Sequence, residues 1–188
     1  DRFSVYAQAL FAAIAPSEGR PDATRHAAEE VLREFIAPTN IYNALPKLYS
    51  DMVPFGLSCM LIDEDEEDGA RAYQFTLGTY CLAQSARGDV DTLFRRTTRT
   101  VAQMVQKFGL ENCSEHVQRE AREGRVDAPV ELKHAIFPNQ KHIPGAFGAA
   151  GKPWLSMWWE ASGPQGCGFL RRSGYNEKPF MAPRWSTV

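Results

Sequence analysis

This 188-residue chain is short of most features that announce a chemical function. It has no run of about 18 apolar residues, so no segment reads as a membrane span and no membrane partner is expected. Its four cysteines, Cys59, Cys81, Cys113 and Cys167, are scattered without a C-x-x-C pair. That pattern reads as free thiols in a reducing compartment rather than as a disulfide framework. Charge of either sign is not in excess: 21 Lys and Arg stand against 23 Asp and Glu, for a net charge of -2. A chain so balanced is no general clamp for nucleic acid, and a DNA partner would need a local basic strip. The nucleophile elbow G-x-S-x-G, the phosphate loop G-x-x-x-x-G-K-[ST] and the zinc motif H-E-x-x-H are all missing. The chain begins at Asp1 rather than Met, which reads as a fragment or a trimmed form.

What is present is ordinary globular composition, 44% hydrophobic and 23% charged, in a length that suits about one domain. Phe3, Tyr6, Ala7, Leu10, Phe11 and Ile14 fall at helical spacing, with no basic leader to make a signal peptide. A second helix is expected over 22–37, with Ala28, Val31, Leu32 and Phe35 on its buried face. A third follows Pro38, with Thr39 or Asn40 as cap and a stripe of Ile41, Ala44, Leu45, Leu48, Tyr49 and Met52. Pro46 lies inside that stripe and should kink the helix, because it supplies no N–H.

The period then changes. Leu57–Ile62 reads as a buried strand, 63–69 as an acidic turn, and 71–77 as a strand that buries Tyr73, Phe75 and Leu77. With the segments on either side of "SARGD", this makes an antiparallel meander from Leu57 to Arg96. Thr100 and Gln103 form a capping box for a helix that Gly109 ends, and Ser114 caps a second short helix. "VELKHAIF" (130–137) alternates like a strand. "PNQKHIPGAFGAAGKP" reads as a mobile loop, and "WLSMWWE" with "GFLRR" as a β-hairpin. The fold class is therefore α+β: N-terminal helices, antiparallel meander, short helix pair and C-terminal hairpin. The chain divides into 1–38, N-terminal helices, and 39–188, an α+β domain.

Few residues invite chemistry. The acidic run Asp63–Asp68 lacks the offsets of a calcium loop and reads as a solvated turn. His134 and His142, with Cys113 or Cys167, lack the close pairing of zinc ligands, so no metal and no cofactor is expected. Cys59 sits in an apolar strand, where a thiol is inert packing. Arg95, Arg96 and Arg99 form a locally basic strip that is possible DNA- or partner-facing surface, yet Arg95 and Arg96 point to opposite faces of a strand. Trp154 and Trp158 share one face of their strand and Trp159 points to the other, so one face is core and the second is open to a partner. The stretch "SGYNEKPFMAPRW" (173–185) crowds two prolines, a glycine and three aromatics into thirteen residues with no catalytic pairing.

Several stretches resemble the bacteriophage head-to-tail connecting proteins, the portal proteins of short-tailed phages. They are "TNIYNALPKLYSDMVPFGLSCMLIDED" (39–65), "LGTYCLAQSARGDVDTLFRRTTRTVAQMVQKFG" (77–109), "VELKHAIFPN" (130–139), "PWLSMWWE" (153–160) and "LRRSGYNEKPFMAPRW" (170–185). Residues 1–20 carry no resemblance, and Pro46 departs from the unbroken helix expected of the family. The resemblance implies a wing-like part of a longer structural subunit that is not an enzyme. The subunit partners itself in a ring, usually of twelve copies, at one capsid vertex of the virion, after assembly in the host cytoplasm. Its other partners would be the terminase packaging motor, capsid and tail proteins, and the double-stranded DNA that passes through the channel. In that setting Tyr175, Phe180 and Trp185 are expected as buried anchors, and Trp154, Trp158 and Trp159 as structural or subunit-contact residues. Two other classes stand beside this one: a small-molecule enzyme using Cys59, Cys81 or His134, and a plain DNA-binding module.

Overall fold

The computed structural model describes residues 21–161 and 169–185. The helix expected over 3–15 and Cys167 lie outside them. In chain order the elements are α1 (Pro21–Ile36), α2 (Ile41–Phe55), β1 (Met60–Asp65), β2 (Gly69–Gln74), β3 (Tyr80–Gln84), β4 (Val90–Thr100), α3 (Val101–Phe108), α4 (Glu115–Arg122), β5 (Pro129–Pro138), β6 (Trp154–Glu160), β7 (Arg171–Tyr175) and β8 (Phe180–Met181). All strand pairs are antiparallel, so the fold is α+β, as the sequence pattern requires.

The expected meander is divided between two sheets. β1 and β2 belong to a three-stranded sheet of order β2-β1-β8, whereas β3 and β4 open a five-stranded sheet of order β3-β4-β5-β6-β7. The described residues up to Phe75, with those from Pro179 onwards, make one compact unit, and Thr76–Lys178 make the other. The proline-rich stretch 173–185 is where the chain leaves the last strand of one sheet and becomes the third strand of the other. Pro179 and Pro183 lend only their carbonyls, which accept from Ile62 N–H (2.9 Å) and Ser58 N–H (3.3 Å). A residue without an N–H is tolerated there because β8 is an edge strand.

In the smaller unit, α2 packs on the sheet through Ala44 and Leu48, which meet Met60 and Ala72. This corrects the expected faces. Ala70 and Ala72 are the buried residues of β2 and Tyr73 is exposed, because small side chains are what let a helix approach a sheet closely. Tyr49 and Leu32, expected in buried stripes, are also exposed. Strand β1 starts at Met60 and runs on through Asp63–Asp65, so the turn is shorter than the acidic run. α2 continues unbroken through both Pro46 and Pro54. Asn40 occupies the cap position of α2, but its side chain does not cap the helix. Its amide instead grips Ala72, donating to the carbonyl at 2.8 Å and accepting from the N–H at 2.7 Å. Thr39 Oγ1 accepts from Ile41 N–H in its place.

In the larger unit, the local signals hold. Thr100 Oγ1 accepts from Gln103 N–H while Gln103 Oε1 accepts from Thr100 N–H. Gly109 closes α3 at φ +82°, a backbone state that side chains disfavour. Ser114 caps α4, and Glu160 accepts from both its N–H and its hydroxyl. Val101, Met104, Phe108 and Val117 then meet Val130, Leu132, Trp158 and Leu170 in one apolar cluster. The loop 139–153, expected to be mobile, is tied down. The Asn139 side chain donates to the carbonyls of Ala149 and Lys152, and Ile143 N–H donates to Ala150.

Candidate functional site

The register of the five-stranded sheet sorts its side chains into two faces. Leu93, Arg95 and Arg99 of β4 align with Ile136, His134 and Val130 of β5, and Ile136 and His134 with Ser156 and Trp158 of β6. Val130, Leu132 and Trp158 belong to the cluster under α3 and α4, so this is the inner face. The alternate row Cys81, Phe94, Ala135, Met157 and Arg172 lies on the outer face, with Arg96, Lys133 and Trp159 as a second row beside it.

The inner face holds the closest approach to a catalytic arrangement among the described residues. His134 is almost fully buried and Arg95 Nε donates to its Nδ1 at 2.9 Å. An arginine only donates, so Nδ1 carries no proton and the neutral ring bears its proton on Nε2. Nε2 lies 2.9 Å from Ser156 Oγ and donates to it. The ring stacks on Trp158 at 3.8 Å and 11°. The Arg95 guanidinium and the Lys107 ammonium lie 4.8 Å and 4.6 Å from the Trp158 ring, cation–π contacts. Burial, and then the positive charges of Arg95 and Lys107, hold the imidazole well below its ordinary value. This is the reverse of a serine activated by histidine. The imidazole donates a hydrogen bond from Nε2–H to the serine oxygen and its other nitrogen already accepts from Arg95, and Ser156 is buried as well. The group is a packed polar tie.

The thiols are no better placed. Cys59 is wholly buried. Burial, reinforced by Glu160 and Glu111, pushes Cys113 up to about 11. Cys81 is exposed on the outer face.

The other residues singled out from sequence are dispersed. Trp158 is buried at 5% exposure, Trp154 is half-buried at the other end of the same face, and Trp159 is half-buried on the outer face against Phe169, edge to face at 6.3 Å. Tyr175 lies opposite Trp154 at the end of β7. Phe180 is buried opposite Leu61 in the smaller sheet. Trp185 is 67% exposed, which corrects the expectation of a buried anchor. Its backbone N–H is bound to Gly56, but the indole extends past the last pairing of the sheet at Leu57 and Arg184. The three arginines do not converge. Arg95 serves the inner tie, Arg96 pairs with Glu131 at 2.9 Å on the outer face, and Arg99 lies on the inner face with a buried Nε that has no partner among the described residues.

Sequence comparison supplies what this geometry withholds. The family described as "Bacteriophage head to tail connecting protein" matches residues 23–188. This chain belongs to that family. Among its relatives are a "Portal protein" of Salmonella phage epsilon15, 39% identical over 154 residues, and a "Probable portal protein" of Bordetella phage BPP-1, 33% identical over 152. These alignments cover 82% and 81% of this chain but only 28% and 27% of the relatives, so the chain spans under a third of their length. Not singled out from the sequence were Phe94, Lys133 and Met157, which the register puts on the outer face with Arg172. Their signal was period-two alternation in β4 through β7, legible only once the register joined the strands side by side.

Proposed function

We propose that this chain is the wing-like part of a structural subunit of a phage portal, the ring that joins head to tail. The observation that carries this reading is the family match across nearly the whole chain together with the two portal relatives. The full-length subunit forms a ring with copies of itself, of twelve subunits, at one vertex of the virion capsid. It assembles there from the host cytoplasm. The packaging motor docks on it while the head fills, tail proteins join it afterwards, and double-stranded DNA passes through it in both directions.

The local chemistry is consistent with a part that carries load rather than reacts. The Ser156–His134–Arg95 tie has its protons in the wrong order for hydrolysis, and two thiols are buried. The arginines are split between two faces of a strand and do not form one strip for phosphate, which counts against a plain DNA-binding module. Electron microscopy and light scattering of the purified full-length protein test the reading. Closed rings are expected. A protein that stays monomeric at every concentration, and shifts labelled DNA in a salt-dependent way, would transfer it to the DNA-binding class.

A further inference from the structure

The outer face of the five-stranded sheet has the character of an interface. Both helices of this unit lie on the inner face, so the outer one is left with Phe94 at 46% exposure, Phe169 at 56%, and Met157 and Trp159 half-buried between them. Its charge is one-sided. Among the described residues that the register puts on it, Arg96, Lys133 and Arg172 stand with a single carboxylate, Glu131, already bound to Arg96. Arg96 and Lys133 are directly opposite each other across β4 and β5. Like charges in that position destabilise a sheet, and Glu131 offsets only one of the two. Beside the aromatic row, Phe137, Leu155, Gln140, Lys141 and Arg172 line an open hollow of about 330 Å³. The face is therefore mixed, with Arg96 and Lys133 on the inner strands β4 and β5 among the apolar residues, Arg172 on the edge strand β7, and a hollow beside them.

The same chain carries the complement. The β1–β2 hairpin presents six consecutive carboxylates, Asp63 to Asp68, with Arg71 as the one cation opposite. Asp65 is spent on the turn, accepting from Glu67 N–H and Asp68 N–H, and Arg71 lies 4.0 Å from it. Glu64 and Glu66 remain exposed. An excess of acid on one sheet and of base on the other, in a chain with net charge of only -2, is the arrangement that head-to-tail association uses.

We infer that the outer face of the five-stranded sheet is a docking surface for a second copy of this chain, and that the neighbour's acidic β1–β2 hairpin is what it receives. The inference rests on the ring reading above and names the surfaces that ring would join. The contact is heterologous: each copy offers its hairpin to one neighbour and its sheet face to the other. A heterologous contact is the kind from which a ring is built. The hairpin carboxylates neutralise Lys133 and Arg172, and the exposed aromatics Phe94 and Phe169 are covered.

The test is a charge swap in the full-length protein, read by light scattering and confirmed to be folded by circular dichroism. Lys133→Glu with Arg172→Glu should weaken self-association by about tenfold or more. Glu64→Lys with Glu66→Lys should do the same, and the four together should restore it. Raised salt should weaken the wild type in the same direction. As a separate measure, Glu66→Cys should be joined to the native Cys81 of a neighbour by a short bis-maleimide linker, and Cys81→Ser should abolish that product. Rings of normal size and strength in both charge-reversed variants would overturn this inference and leave the ring reading standing. A wild-type protein that is monomeric throughout would sink both. Intact rings whose DNA binding alone is lost on Lys133→Glu with Arg172→Glu would reassign the face to phosphate.

Discussion

The two faces of the five-stranded sheet invert the usual expectation about polarity and burial. The inner face is buried, yet at its centre it carries Arg95, His134 and Ser156. The outer face is open, yet it carries Phe94, Met157 and Trp159. The adjacent residues Trp158 and Trp159 belong one to each. The difference teaches that residue type did not decide which face became core. Helix placement did, through the apolar stripe of α3 and α4, and Arg95, His134 and Ser156 survive on that side because each meets a partner. An inner face so completed is suited to be rigid, and an outer face left incomplete is suited to be shared.

The sharpest way to break the comparison is to truncate the two tryptophans. Trp158→Ala removes a ring that touches Phe108, His134, Arg95 and Lys107, and should cost about 3–5 kcal/mol of folding stability in a denaturant titration. Trp159→Ala should cost much less in the isolated subunit and show its effect in self-association instead. Equal losses of stability would erase the distinction between the faces.

Next in size is His134→Phe. The substitution preserves a flat ring against Trp158 while removing the acceptor that Arg95 Nε uses and the donor that Ser156 Oγ receives. A cost of about 1–3 kcal/mol is expected by the same titration, the usual penalty for leaving buried polar groups unmade. A neutral result would mean that the stack alone holds the inner face.

The same residue sets a pH dependence. The folded imidazole is depressed below 6.5 by burial and by its cationic neighbours, whereas the unfolded one is not. The unfolded chain therefore binds the extra proton first. Stability from this group is fully present above 6.5 and is lost as pH falls through that value towards the folded one. The slope should be at most about 1.4 kcal/mol per pH unit from one histidine. Glu120 and Asp65, held below the ordinary carboxylate range by the Arg125 hydrogen bond and the turn N–H groups respectively, add losses only at more acid pH. Denaturant midpoints measured across pH 5 to 8 should slope for the wild type and flatten in His134→Phe.

What could be read from sequence was local. Thr100 and Gln103 are three residues apart and their capping box is present as expected, as is Ser114 at the start of α4. Strand β5 was legible from its alternation almost to the residue. What escaped was set by partners far along the chain. The meander divides because β1 pairs with β8, a strand 120 residues later in the sequence. Asn40 forsakes its helix for Ala72 across 32 residues. His134 looked like any alternating strand residue until β4 brought Arg95 beside it and β6 brought Trp158. The paired tryptophan parity was readable, and which face would be covered was not, since nothing in "WLSMWWE" states where α3 will lie.

Trp185 is the clearest case of composition misleading, and it yields the smallest expected effect. A tryptophan after two prolines in an aromatic stretch reads as a buried anchor, a residue whose removal should cost several kcal/mol. The position instead relies on its backbone. Trp185 N–H donates to Gly56 at 3.0 Å, Arg184 bridges Leu57, and Gly56 itself sits at φ +68° beneath the indole. Alanine keeps all of those bonds and forfeits only a ring that is two-thirds in solvent. Trp185→Ala should therefore shift folding stability by no more than about 0.5 kcal/mol in the same denaturant titration. A loss near that of Trp158→Ala would place the indole inside a packed environment and would extend the core to the end of the described chain. A negligible loss would make Trp185, like the outer-face aromatics, apolar surface that folding alone does not account for.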